Sequence, residues 1–348
     1  MARKSNGLSD CVGDLQRLAR NCLDAAFDRP GVNLASFRPW LAKTTGCELS
    51  ESEFRDVCAE ALAWAIIQST NPCVQGLDTH FERTSAFSPF LVELLAVLRS
   101  ETEPGFMEGM KQRIPAELPA APLLLYESYL SVLDPKRRSG RGVFYTPQVI
   151  ARHIVERIDT ALRERFGLAD GLADTATWIE MRRRWPTVRV PQGTAGDEPF
   201  VRILDPAAGS GVFLVEVVDR IHRTLLAKWR DERLSEEAMV ARWNAYVPRH
   251  LLPRIHAVEL MPTPSVISQI AVAQKLAETG YDFRTEQRFR FSIADTLLDP
   301  AVVADFGSGN DPADGEASLL RETLSRAAFT VILGNPPFRG ISSNPSSW

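Results

Sequence analysis

The chain lacks the sequence features of membrane, secreted and metal-binding proteins. No apolar run among its 348 residues is long enough to cross a bilayer, and no signal-peptide core follows the start at Met1–Ser5. The five cysteines all lie in the first quarter and have no Cys-x-x-Cys spacing, which argues against a disulfide framework and a zinc site. We therefore expect a cytoplasmic protein with no membrane contact and no metal.

The residues that are present indicate an ordinary globular protein. With 45% hydrophobic and 24% charged residues, the chain can bury a core and is long enough for two domains. Ser50 and Glu53 have the spacing of a capping box before an apolar helical pattern, and Ser88-Pro89 predicts the start of another helix. We predict an all-α domain over residues 1–120 and a second domain over residues 121–348.

Residues 201–214 have the pattern of a strand, a glycine turn and a helix. An apolar run ends at Asp205, Gly209 and Gly211 follow, and apolar residues from Phe213 onward recur on one helical face. Glycine lets backbone approach a ligand where a Cβ would collide. By itself this turn indicates either a cofactor loop or a plain connection. Its Asp-Pro-x-x-Gly-x-Gly order differs from that of nicotinamide enzymes.

Further strand patterns end in, or lead directly to, polar residues. Residues 255–259 end at Glu259, and residues 290–295 end at Asp295. A carboxylate at the end of the second strand can accept both ribose hydroxyls, although strand-end acids also serve as helix caps. The long gap between Asp205 and Glu259 predicts an extra helical segment at about residues 225–250.

The most specific motif is Asn335-Pro336-Pro337-Phe338, which directly follows the buried-strand pattern of residues 329–334. From average residue usage, a turn of this class should occur by chance in roughly one chain in a hundred of this length. It is typical of enzymes that hold the amine of a nucleobase for methylation.

A helix start is predicted upstream at Gly142-Val-Phe-Tyr-Thr-Pro147. Thr146 is the expected N-cap and Pro147 the first helical residue. Apolar residues at a spacing of four predict one buried face, formed by Ile150, Ile154, Ile158 and Leu162.

These motifs and their order resemble those of S-adenosylmethionine-dependent DNA amino-methyltransferases, and in particular the methyltransferase part of type ISP restriction-modification enzymes. The similarity runs from about Leu123 to Trp348. It is carried by Leu123–Leu130, Gly142–Pro147, Phe166–Ala173, His250–Arg254, Val258–Pro264 and Gly334–Asn344. The resemblance implies an α/β fold: a Rossmann-like sheet, represented by its first four strands, preceded by the all-α N-terminal domain.

The resemblance also implies roles for individual residues. The cofactor S-adenosylmethionine would be bound by Tyr145, Thr146, Pro147, Asp205, Pro206, Ala207, Gly209, Gly211, Glu259 and Asp295. The Asn335 side chain and the Pro336 carbonyl would accept the hydrogens of the adenine N6 amine, with Pro337 completing the turn and Phe338 stacking on the flipped base. Ser210, Phe338 and Asp295 depart mildly from the usual residues, and Asp295 leaves the adenine contact of the cofactor open.

Other parts of such enzymes are not recognisable in this sequence. There is no Gly-x-x-x-x-Gly-Lys-Ser/Thr loop and no target recognition domain. The formal net charge of −4 does not favour strong DNA binding, although Lys136–Arg138 with Arg141, and Arg182–Arg184, could contact phosphates.

The expected partners are double-stranded DNA and a second polypeptide, or a missing C-terminal portion, that carries the recognition domain. We expect the apolar residues 329–333 to lie on a bare sheet edge and the chain alone to bind cofactor weakly and not to methylate DNA. The alternatives are methylation of a protein glutamine amide or of cytosine N4, and an inactive fragment that acts only as an interaction module.

Overall fold

The structure is a computed structural model that describes residues 13–24, 34–45, 48–70, 89–101, 146–284, 287, 289–297, 320–321 and 328–336. Several sequence predictions lie outside these residues: Tyr145, Pro337 and Phe338, the basic cluster at 136–141, and the segment 123–130. They stay predictions.

The described part of the N-terminal region contains four α-helices: α1 (residues 13–24), α2 (Phe37–Thr45), α3 (Glu51–Thr70) and α4 (Pro89–Glu101). The capping box at α3 is confirmed. Ser50 N donates to the Glu53 carboxylate at 2.8 Å, and Glu53 N donates to Ser50 Oγ at 3.3 Å. α4 begins at Pro89 as predicted, where the missing N–H costs no helical hydrogen bond. None of the described helices is long and apolar enough to cross a membrane.

The remainder of the described chain combines helices with short strands. The helices are α5 (Gln148–Phe166), α6 (Trp178–Arg184), α7 (Val212–Asp231), α8 (Glu236–Tyr246) and α9 (Pro262–Glu278). The strands are β1 (Ile203–Asp205), β2 (Ile255–Glu259), β3 (Arg290–Ile293) and β4 (Val331–Ile332). The strand predictions are confirmed, and α8 with the end of α7 fills the gap between β1 and β2.

The strands form one parallel sheet in the order β3-β2-β1-β4. Ile203 of β1 lies opposite Ile255 of β2 on one side and Val331 of β4 on the other. In this order the chain moves outward from β1 and then returns to its other side, as in a Rossmann-type sheet. The predicted α/β fold class is confirmed.

A continuous hydrophobic core joins the N-terminal helices to the sheet. α9 packs against β2 and β3 and also against α3. Every residue from Pro262 to Gln274 is therefore buried, because neighbours cover α9 on more than one side. The division near residue 120 stays a prediction, since the residues around it are outside the described ranges.

The start and the buried face of α5 differ from the prediction. Pro147 is the N-cap residue and Gln148 the first helical residue, so Thr146 is not the cap. The buried residues are Ala151, Val155, Asp159 and Leu162, and Ile150 is 49% exposed. The buried face is therefore centred on positions one residue further along the helix, and Ile154 and Ile158 pack at its border, partly buried.

A buried ion-pair cluster holds the loop that follows α5. The Asp159 carboxylate is fully buried and accepts hydrogen bonds from Arg163 Nε at 2.9 Å and Arg220 Nη2 at 2.7 Å. Its other oxygen accepts from Leu172 N at 2.8 Å. One carboxylate therefore joins α5, α7 and the loop at residues 167–174, which explains why a polar residue occupies the buried face of α5.

β4 is an edge strand of the described sheet, and fewer of the apolar side chains in and next to it are exposed than predicted. Val331 and Leu333 are buried, whereas Ile332 is 64% exposed. Successive side chains of a strand point to opposite faces, so the core covers one face of β4 and leaves only Ile332 uncovered.

Candidate functional site

The carboxyl ends of the four parallel strands meet at one edge of the sheet and bring the predicted polar residues together. Asp205 and Glu259 end β1 and β2, Asp295 follows β3, and Asn335 follows β4. β1 and β4 flank the position at which the strand order reverses, where open α/β sheets bind ligands. Asp205 and Asn335 therefore lie on the two sides of this crevice.

The glycine turn after β1 is held by backbone hydrogen bonds and by close packing. Ala208 N donates to Val258 O at 3.0 Å, which fixes the turn to β2. Gly209 and Gly211 have φ angles of 54° and 86°, a region that favours glycine. A Cβ on Gly211 would lie 2.9 Å from the Cβ of Ser268 in α9. The structure thus gives Gly211 a helix-packing role that the sequence analysis did not foresee.

The Glu259 carboxylate ties the glycine turn to the end of β2. It accepts from Gly209 N at 2.8 Å through one oxygen and from Met261 N at 2.9 Å through the other. Burial raises the pKa of Glu259, and the hydrogen bonds from Met261, Gly209 and Leu260 N–H oppose this rise. These three donors leave acceptor capacity on the carboxylate, and ribose binding by Glu259 stays a prediction.

Asp205 is a buried carboxyl group with one unpartnered oxygen. Its Oδ1 accepts from Ala207 N at 3.1 Å, whereas Oδ2 has no hydrogen-bond partner among the described residues. A Cβ on Gly334 would lie 2.8 Å from Asp205 Oδ1, so the backbone after β4 passes directly beside this side chain. Burial raises the pKa of Asp205 to about 7, the Ala207 N–H lowers it, and the charge of Glu259 raises it further.

Asp205→Asn is expected to stabilise the ligand-free protein above neutral pH. The folded protein binds the Asp205 proton more tightly than the unfolded chain, whose ordinary pKa is 3.8. The stability from this group is present at low pH and is lost as the pH rises towards 7. The melting temperature of the variant should exceed that of wild type by a few degrees at pH 8 and not at pH 4. Differential scanning fluorimetry across this range measures the difference.

Asp295→Asn is the matched control, because Asp295 Oδ1 accepts from the N–H two residues on, Leu297 N at 2.9 Å, in the same way. Its side chain is only half-buried, so a smaller gain is expected there. If the melting temperatures of wild type and Asp205→Asn differed by the same amount at every pH, ionisation of Asp205 would not destabilise the folded protein.

The other predicted site residues are placed as follows. Asp295 is joined to the glycine turn through its neighbour, since Thr296 Oγ1 donates to Pro206 O at 3.0 Å. Asn335 is half-buried and Pro336 is exposed. Thr146 and Pro147 precede α5, which packs against α7. The cofactor and base contacts of all these residues stay predictions.

Sequence analysis missed Glu216, a buried acid in the second turn of α7. It is 2% exposed and is paired with Arg152 of α5 at 3.0 Å. The signal was available: Glu216 lies between Val215 and Val217 in a helix whose neighbouring positions are nearly all apolar. An acid within such a stretch is buried at high cost unless a partner compensates it.

An open depression of about 840 Å³ lies away from the strand ends, between the later turns of α5 and α7. Its lining carries charges of both signs, among them Arg163, Arg220, Lys228, Asp170 and Glu232. Lys228 pairs with Asp170 and Arg220 with Asp159, so the depression does not favour either anionic or cationic ligands strongly. The carboxyl edge of the sheet is the better candidate.

The fold and the carboxyl edge of the sheet define an α/β protein with a Rossmann-type ligand crevice. Comparison with known proteins shows which solved structures have a similar fold. No family model and no curated protein sequence matches the chain. A nuclease-deletion mutant of the type ISP restriction-modification enzyme LlaGI, in complex with a DNA substrate mimic, matches 99% of this chain with a TM-score of 0.55 and 16% identity.

Two further structures match over nearly the whole chain. A DrdV–DNA complex solved by cryo-EM covers 99% of it with a TM-score of 0.55 and 20% identity. The ATP-dependent type ISP restriction-modification enzyme LlaBIII bound to DNA covers 98% with a TM-score of 0.52 and 16% identity. The chain is thus similar in fold to parts of these proteins. It spans 25%, 30% and 21% of the LlaGI, DrdV and LlaBIII chains, respectively.

Proposed function

We propose that this chain forms the S-adenosylmethionine site and the amine-binding turn of a DNA adenine-N6 methyltransferase, within a restriction-modification or phage-defence system. The observation that carries the proposal is the placement of Asp205, Glu259 and Asn335 on adjacent parallel strands at one edge. Because Gly334 packs against Asp205, a methyl donor at the glycine turn and an amine at Asn335 would be neighbours.

The residues present fit a cationic cofactor. Asp205 has a buried oxygen that no described residue hydrogen-bonds, and Glu259 is a second acid beside the same turn. Two acids in one cleft favour a ligand with positive charge, and a cation near Asp205 would stabilise its ionised form. When bound, S-adenosylmethionine would supply an electrophilic methyl group on a sulfonium.

Asn335 and Pro336 would act on the target amine. The nitrogen of an adenine amine is a poor nucleophile because its lone pair is delocalised into the ring. If Asn335 Oδ1 and the Pro336 carbonyl accept its two hydrogens, the nitrogen moves towards tetrahedral geometry and its lone pair becomes available. Orientation and electrostatics then assist a direct transfer. The nitrogen would gain the methyl group that the bound cofactor supplies, with the bond from methyl to sulfur broken in the same step, and would release one of its protons to water.

DNA is the proposed substrate, and the base would have to leave the duplex to reach the turn, where we propose that Phe338 stacks on it. The LlaGI, DrdV and LlaBIII structures contain DNA or a DNA mimic, which supports this choice. We also propose that a target recognition domain, on a second polypeptide or a further portion of the protein, completes the enzyme. This part of the proposal is supported by the fact that the chain spans less than a third of each of those longer chains.

A methyl-transfer assay tests the proposal. The chain, alone and co-expressed with the polypeptide encoded next to it, is incubated with methyl-labelled S-adenosylmethionine and either duplex DNA or a protein extract. Nucleoside analysis then separates N6-methyladenine from N4-methylcytosine. Label in N6-methyladenine is expected. Label in protein glutamine or in cytosine would identify an alternative substrate, and failure to bind the cofactor in either preparation would leave only a role in protein interaction.

A further inference from the structure

The start of α5 is fastened to α7 by one buried carboxylate. Glu216 Oε1 accepts from Gln148 Nε2 at 2.8 Å, and Glu216 Oε2 accepts from Arg152 Nε at 3.0 Å. Arg152 Nη2 also donates to Glu216 Oε1, at 3.3 Å. Glu216 is 2% exposed and Arg152 is 47% exposed, so the pair has a buried acceptor and a donor that reaches it from the surface.

Few other described residues hold the first turn of α5. Its N-cap residue, Pro147, offers no side-chain hydrogen bond to the helix. Val149 and Ile150 are 69% and 49% exposed, so their burial stabilises this turn only slightly. An uncapped helix start of this kind frays unless tertiary contacts hold it. The described contacts that do so are Ala151, which is buried, and the hydrogen bonds of Gln148 and Arg152 to Glu216.

Glu216 lies near the candidate site as well as near the start of α5. Gly211 of the glycine turn is the N-cap of α7, so Glu216 lies about one and a half turns, roughly 8 Å, further along the helix. Thr146 and Pro147 directly precede Gln148. The same carboxylate therefore lies five residues after the glycine turn and is hydrogen-bonded to the residue that follows Thr146–Pro147, so it connects both segments that are predicted to contact the cofactor.

We infer that Glu216 is a positioning residue that holds the Thr146–Pro147 segment against the glycine turn, so that the two segments form one cofactor site. This inference rests on the proposed S-adenosylmethionine site. It assigns a role to Gln148, Arg152 and Glu216, none of which would touch the cofactor itself.

The test compares Glu216→Gln, which keeps the size of the side chain, with Arg152→Met, which keeps an unbranched side chain without the guanidinium group. S-adenosylmethionine affinity of the full chain is measured by calorimetry. Each variant should raise the Kd about tenfold, as expected for loss of a charge-assisted hydrogen bond. The double variant should bind no more weakly than either single one, because both changes break the same contact. Asp219→Asn is the matched control: Asp219 lies one turn further along α7 and pairs with Arg223 at 2.6 Å.

Hydrogen–deuterium exchange without cofactor separates positioning from general stability. In Glu216→Gln and Arg152→Met, amides of residues 148–152 should exchange faster, whereas those of residues 213–221 should stay protected. A variant that only loosened the fold would expose both segments and lower the melting temperature as well. Unchanged exchange at residues 148–152, or wild-type affinity in both variants, would overturn the inference. If the wild-type chain itself does not bind S-adenosylmethionine, the proposed function fails, and the exchange result still decides whether Glu216 holds the helix start.

Discussion

Asn335→Ala is expected to lower the rate of methyl transfer at least about a hundredfold, with little change in the affinity for S-adenosylmethionine. Asn335 follows β4 on the opposite side of the crevice from the glycine turn, so its proposed contact is with the target amine and not with the cofactor. Removal of one hydrogen bond that strengthens in the transition state typically costs about 10²–10³ in rate. Single-turnover transfer to duplex DNA by the active assembly, together with calorimetric cofactor binding, measures the two effects separately.

Asn335→Asp is the informative comparison, because it keeps an acceptor oxygen at the same position. It should retain much more activity than Asn335→Ala if acceptance of the amine hydrogen is the role of this side chain. Near-wild-type methylation by Asn335→Ala would end the proposed mechanism. Equal loss of cofactor affinity and of rate would instead place Asn335 in the cofactor site.

Gly171→Ala should destabilise the fold by about 3 kcal/mol or more, because it disrupts a buried ion-pair cluster. Gly171 has a φ of 56°, and a Cβ there would lie 2.7 Å from Asp159 Cγ and closer still to Asp159 Oδ1. Asp159 cannot move aside easily, since Arg163, Arg220 and the Leu172 N–H all bind its carboxylate. Urea unfolding followed by tryptophan fluorescence measures the loss.

Gly167→Ala separates the collision from backbone strain. Gly167 has a similar φ of 62°, yet a Cβ there would have no atom within 4 Å. Only the cost of a left-handed residue, about 1–2 kcal/mol, is expected for this variant. An equal loss of stability in the two alanine variants would show that contact with Asp159 is not what requires glycine at position 171.

The sequence predicted local structure well where the pattern of apolar residues had one interpretation. The capping box before α3, the proline start of α4 and the glycine turn into α7 were all correct, because each has a local residue pattern. The contacts that hold the glycine turn in place, to Val258 and Glu259, come from about 50 residues away. The helix after β1 buries Phe213, Leu214 and Val217 as predicted. α5 was less predictable, since its buried face contains Asp159, and the partner that compensates this acid, Arg220, lies 61 residues further along the chain.

The sequence by itself determined the α/β class, the four strands and the order of the motifs, since short-range periodicity and turn chemistry fix these features. Tertiary structure alone decided which buried acids have hydrogen-bond or ion-pair partners and which have an oxygen without one. Asp205, Glu216 and Glu259 are all acids within or next to apolar stretches of the sequence. Among the described residues, however, Asp205 has a buried oxygen without a hydrogen-bond partner, Glu216 pairs with Arg152, and Glu259 accepts backbone N–H groups. The energy of a buried charge depends on the groups around it, and those groups come from distant parts of the chain.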